Sequence, residues 1–145
     1  MGFQHNSCFI SIVDDDESAR TAIQGVLKSF GWRARSFASA EEFLESGQLR
    51  QTACLISDVR MPGMSGLELQ SRLVEEGWRM PIIFVTAHGD SRMQTRAMKA
   101  GARAFLGKPF DDEVLLEEVR TALEIDLAEQ NRNHCKGECA LRSAE

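Results

Sequence analysis

Four cysteines in 145 residues are too few for a disulfide scaffold to define the fold. Two of them, Cys8 and Cys54, sit in apolar, strand-like runs where small buried thiols are expected, and such thiols imply a reducing cytoplasm. Cys135 and Cys139 join His134 in a polar stretch, one ligand short of a four-ligand zinc site. Positive charge is scarce: 17 Lys and Arg stand against 22 Asp and Glu, a net charge of −5. With no basic surplus, binding of nucleic acid by this chain alone is not expected. No apolar run approaches the ~20 residues of a membrane span, and Met1–Ser7 holds no stretch apolar enough for a signal peptide. What is present is 43% hydrophobic and 27% charged, an ordinary globular balance. A chain of this length forms one domain and buries roughly 68–70% of its unfolded surface, enough for a core without staples.

Apolar runs alternate with stretches of helical period. Phe9–Val13 is a wholly strand-like run that ends in Asp14-Asp15-Asp16. Ala19, Ala22, Ile23, Val26, Leu27 and Phe30 then recur at the spacing of one helix face, and Gly31 ends that helix. Arg33–Phe37 is a weaker, partly charged strand that suits a sheet edge. Ser39 with Glu42, and Ser65 with Glu68, have the spacing of capping boxes. Ala53–Ile56 leads into Asp58, Ile82–Val85 into Thr86, and Ala104–Gly107 into Lys108. Asp90 and Asp111 are placed to cap the last two helices, the second carrying Leu116, Val119, Leu123 and Leu127 on one face. Five strand-helix pairs with continuous apolar strands predict a parallel sheet covered on both sides. The right-handed crossover rule favours a flavodoxin-like doubly wound (βα)5 fold of strand order 2-1-3-4-5, with the weak second strand at an edge. Residues 1–8 form a lead, 9–127 the domain, and 128–145, where the pattern dissolves, a polar tail.

Ligands of an open parallel sheet sit at the carboxyl ends of its strands. In this topology those ends deliver Asp14 and Asp15, Asp58, Thr86, and Lys108 followed by Pro109. Carboxylates converging within ~5 Å repel strongly in a partly desolvated crevice. A hard divalent cation such as Mg²⁺ and the ammonium of Lys108 are the two available sources of relief. A carboxylate beside such a metal can accept a phosphoryl group, with Thr86 donating its hydroxyl to a phosphoryl oxygen. The set reads as an aspartyl-phosphate site.

The ordered combination resembles a response-regulator receiver domain of two-component (phosphorelay) signalling. Asp14-Asp15-Asp16 follows one β-run, Asp58-Val59-Arg60-Met61-Pro62-Gly63-Met64-Ser65-Gly66 another, Thr86-Ala87 ends the fourth and Lys108-Pro109 the fifth. The wording around Asp58 and Thr86-Ala87-His88-Gly89-Asp90 is similar to the FixJ-type subgroup. The resemblance implies that Asp58 is the phosphoacceptor. It implies that Asp15 binds Mg²⁺ directly, Asp14 mainly through water, and that the backbone carbonyl of Arg60 completes the protein ligands. Lys108 would contact the phosphoryl group, Thr86 would move toward it, and Phe105 would turn inward. Ala87 would leave the group accessible, and Lys108-Pro109 would be a cis peptide. Arg60 and His88, two residues beyond Asp58 and Thr86, occupy positions that influence phosphoryl hydrolysis in receivers, and two solvated side chains are the alternative reading. The implied partners are a sensor histidine kinase and a second copy through the α4–β5 face, in the cytoplasm, with transcription regulated through an output domain or partner.

The rival reading is a metal-dependent phosphatase of the haloacid-dehalogenase kind. Such an enzyme needs a general acid two residues after its nucleophile, and Arg60 stands there. A flavin-binding module is the third option, but the chain has no tyrosine, and Trp32 and Trp78 fall away from the expected strand ends. The expectation is therefore a phosphoacceptor switch rather than an enzyme.

Overall fold

A computed structural model describes residues 8–87 and 89–133, with side chains through Glu124. The elements run β1 (Phe9–Val13), α1 (Glu17–Ser29), β2 (Ala34–Phe37), α2 (Ala40–Glu45), β3 (Thr52–Ser57), α3 (Gly66–Glu75), β4 (Ile82–Thr86), α4 (Ser91–Lys99), β5 (Ala104–Gly107) and α5 (Asp112–Asn133). The five strands form one parallel sheet of order β2-β1-β3-β4-β5.

Alternation along the strands sorts the core into two layers. Ile10, Ile12, Cys54, Ile56, Ile83 and Val85 face α1 and α5, where Ile23, Leu27, Leu115 and Val119 meet them. Val13, Leu55, Ile82 and Phe84 face the other side, against Phe43 of α2, Leu69 and Leu73 of α3, and Ala97 of α4. The edge strand β2 is only partly buried, which matches its mixed composition.

Several local readings need correction. On α1 only Ile23 and Leu27 are fully buried, while Phe30 is 51% exposed and stacks on Trp32 at 4.6 Å. The helix touches the sheet along a narrow line, so the rim of its apolar stripe stays at the surface. On α5 the buried face is Leu115, Val119, Ala122 and Leu123, with Leu116 only partly covered; the side chain of Leu127 lies outside the described residues. The box at Ser65–Glu68 is complete, but Glu42 turns past Ser39 and accepts instead from the Ala38 amide at 2.6 Å. Cys8 is buried yet disulfide-bonded, not a thiol. A residue count cannot separate a thiol from a half-cystine, because the fold decides which sulfurs meet. Support for a reducing compartment is lost at that position. Cys54 is fully buried in β3. The lead Met1–Ser7, His88, and the His134, Cys135 and Cys139 group lie outside the described residues, while α5 continues as backbone helix past Leu127 to Asn133. Among the described residues no helix is long and apolar enough to cross a membrane.

Candidate acidic phosphoryl-transfer site

The parallel arrangement sends every strand's carboxyl end to the same edge, and the loops after β1, β3, β4 and β5 meet there. Asp14 is 1% exposed and Asp58 8%, while Asp15 is exposed. One carboxylate oxygen from each of the three lies within 4.8 Å of the others. Lys108 Nζ reaches in from the end of β5, 2.7 Å from Asp14 Oδ2 and 3.4 Å from Asp58 Oδ2. The Lys108–Pro109 peptide is cis, and the Lys108 amide donates to the Thr86 carbonyl at 2.9 Å.

The loops are held by their own backbone bonds. Asp14 Oδ1 accepts from the Asp16 amide at 2.9 Å, and Asp16 caps α1. Asp58 Oδ1 accepts from the Val59 amide at 2.6 Å, and Ser57 Oγ donates to the Asp58 carbonyl at 2.8 Å. Thr86 is 2% exposed at the end of β4, Ala87 and Arg60 are exposed, and Phe105 is half-buried with its ring 6.1 Å from that of Phe84.

Electrostatics follow from this crowding. Burial, and next the charge of Asp14, raise the pKa of Asp58 above the ordinary aspartate value. Lys108, the Thr86 hydroxyl and the Val59 amide pull it down without cancelling the rise. For Lys108 burial works against the charged form, but the hydrogen bond and charge of Asp14, then those of Asp58, outweigh it and hold the ammonium above its usual range. One ammonium against three clustered carboxylates leaves negative charge unbalanced. Hard oxygen donors with that surplus fit a small divalent cation.

A family model described as the response regulator receiver domain matches residues 10–120. The chain belongs to the receiver family. The response regulator protein TmoT of Ectopseudomonas mendocina is 47% identical over 129 residues, covering 86% of this chain and 58% of the relative. The transcriptional regulatory protein FixJ of Azorhizobium caulinodans is 37% identical over 135 residues, covering 93% and 64%. The solved structure of the response regulator StyR superposes with a TM-score of 0.78 at 44% identity, covering 86% of this receiver and 63% of that chain. The receiver thus spans under two thirds of the length of these relatives. The phosphatase reading gains no support from any of them.

Four residues at this edge were not singled out from the sequence. Arg20 Nη1 donates to the Asp14 carbonyl at 2.8 Å and ties α1 to the acidic loop. A Cβ on Gly66 would strike the Asp58 carbonyl, so the start of α3 can press against the acceptor strand only as glycine. A Cβ on Gly89 would lie 2.7 Å from both the Phe105 ring and Thr86 Cγ2. Glu41 of α2 accepts from the Met64 amide at 3.0 Å. Gly66 and Gly89 were legible as part of the loop motifs; Arg20 reaches back only six residues to Asp14, and Glu41 makes a contact between distant segments that no local pattern marks.

Proposed function

We propose that this receiver accepts a phosphoryl group on Asp58 from the phosphohistidine of a sensor kinase, in a Mg²⁺-dependent step. The observation that carries the reading is the meeting of Asp14, Asp15 and Asp58 oxygens within 4.8 Å, with Lys108 bridging Asp14 and Asp58. Asp15, Asp14, Asp58 and the Arg60 carbonyl would hold the ion, which when bound supplies charge neutralisation to the transferring group. An Asp58 carboxylate oxygen forms the bond to phosphorus as the donor imidazole leaves. Lys108 then trades part of its contact with Asp58 for the phosphoryl oxygens, and the buried Thr86 hydroxyl donates to another.

The added charge of about −1.5 to −2 draws Thr86 and Lys108 toward Asp58. Movement of Thr86 frees space for Phe105 and biases the surface of α4, β5 and α5 between two states. That surface would pair with a second copy or pass the signal to an output domain, regulating transcription as the printed name of the FixJ relative indicates for that protein. Residues 9–127 act as the switch, with 128–145 as a polar tail. The protein is a phosphoacceptor rather than an enzyme, with at most slow self-dephosphorylation. Cytoplasmic placement belongs to the same proposal and rests on the kinase partner, not on the cysteines.

Incubation with acetyl phosphate and Mg²⁺ tests the reading by intact mass. The wild type should gain one phosphoryl group, while Asp58→Asn and the wild type in excess chelator should gain none. Undiminished labelling of Asp58→Asn would reject Asp58 as the acceptor. Sedimentation with and without the phosphoryl group checks the pairing; a monomer in both states removes the α4–β5 dimer.

A further inference from the structure

The loop from Asp58 to Ser65 carries the acceptor at one end and the capping box of α3 at the other. Its two ends are well fixed. The Val59 amide is bound to the Asp58 carboxylate, the Gly66 amide donates to the Val59 carbonyl at 2.8 Å, and the Ser65 amide donates to Glu68 at 2.9 Å. Met61 turns inward and is buried. Between these anchors the outer arm, Pro62-Gly63-Met64, is held from another element. The Glu41 carboxylate, in the first turn of α2, accepts from the Met64 amide at 3.0 Å.

Gly63 shows how closely that carboxylate seats. It has φ +77, and a Cβ there would lie 2.8 Å from Glu41 Oε2. The positive φ is what requires glycine here, and the short distance shows that the Glu41 carboxylate rests directly against the turn. Glu41 is 23 residues from Met64 in sequence, so the bond closes a long-range contact that loop sequence alone does not provide.

We propose that Glu41 is a positioning residue for the cation pocket: it holds the outer arm of the β3–α3 loop so that the Arg60 carbonyl is presented to the metal. The inference rests on the reading of the acidic cluster as a Mg²⁺ site. Arg60 lies between the fixed Val59 and the buried Met61, which leads into the arm that Glu41 holds from the surface, and its own side chain is exposed. With the arm untethered, the burial of Met61 is what remains to hold the loop beyond Arg60; the carbonyl samples more positions, and the ion must order the loop as it binds.

The test compares Glu41→Gln and Glu41→Ala with the wild type by Mg²⁺ titration, followed through the backbone amide resonances of Asp58, Val59 and Arg60. Both variants remove the negative charge from the first turn of α2, but only glutamine keeps an acceptor for the Met64 amide. Glu41→Ala should weaken Mg²⁺ binding about three- to tenfold, the range of one lost hydrogen bond, and Glu41→Gln should stay within about twofold. Both variants should keep the wild-type spread of amide resonances, which shows that each is folded before its Mg²⁺ affinity is compared. Equal Mg²⁺ affinity in Glu41→Ala and the wild type overturns the proposal, as does equal weakening in both variants. Failure of the wild type itself to bind Mg²⁺ or to accept phosphate overturns the site reading, and this inference with it. That outcome is distinguishable because it appears before any substitution is made.

Discussion

Helices α3 and α4 lie on the same face of the sheet, yet they are held in different ways. Gly66, Leu67, Leu69, Gln70 and Leu73 of α3 are buried, and a complete capping box closes its start. In α4 only Ala97 is buried, and from Ser91 to Lys99 it carries Arg92, Arg96 and Lys99 with no acid. Part of its attachment is polar: the buried Gln70 of α3 donates to the Ala97 carbonyl at 3.0 Å, which also accepts from the Ala102 amide. Apolar burial is strong and non-directional, whereas a single net hydrogen bond stabilises by about 1 kcal/mol. The difference matches their places in the proposed switch. The stiff helix follows the acceptor loop, where geometry must not drift. The lightly attached one follows Thr86, where a small shift must be able to spread.

The largest expected contrast comes from truncating each helix. Leu69→Ala, at a fully buried position of α3, should cost about 2–5 kcal/mol in urea unfolding, and Met98→Ala, 42% exposed on α4, should stay within about 0.5 kcal/mol. Similar losses at both sites would erase the distinction. A smaller effect is expected at the link between the helices. Gln70→Ala should lower global stability by about 1 kcal/mol, and hydrogen exchange should show α4 amides losing more protection than those of α3. Uniform loss across both helices would mean that Gln70 belongs to the α3 core alone.

The last change is one of charge. Asp58 binds its proton more tightly folded than unfolded, because burial and Asp14 raise its pKa above the ordinary 3.8. In metal-free buffer stability should therefore fall as pH rises from about that value toward the folded one, and the deficit should persist at neutral pH. Asp58→Asn should raise the urea midpoint at pH 7 and lose its advantage below the ordinary value. A variant less stable than the wild type at pH 7 would show that the rigid side of the molecule does not hold this carboxylate under electrostatic strain.

Periodicity made most of the architecture readable in advance. Continuous apolar runs such as Ile82–Val85 have one plausible use in a chain of this size, the interior strand of a parallel sheet. Local periodicity was less informative where burial depends on the neighbour. Phe30 and Leu116 belong to apolar stripes, but the partner surface was too narrow to cover them. Glu42 has capping-box spacing, yet the entry of the chain into α2 offered it the Ala38 amide first. In the site, the loop motifs marked Asp14, Asp15, Asp58, Thr86 and Lys108 because each ends a strand. Glu41 meets Met64 and Gly89 meets Phe105 across the fold, so their neighbours in sequence carry no trace of those contacts; Arg20 reaches the Asp14 carbonyl over six residues, but nothing in its helical stripe marks that bond.

The order of residues by itself determined the five strand-helix units, their parallel sense and the set of chemistry-bearing groups at one edge, since hydrophobic pattern and crossover handedness admit few other outcomes. Only the tertiary structure decided how close those groups come, which carboxylate Lys108 approaches more tightly, that Cys8 is half of a disulfide, and which helix is firmly seated. Distances between segments scores of residues apart depend on how whole layers pack, and that sum of contacts is not written in any one stretch of chain.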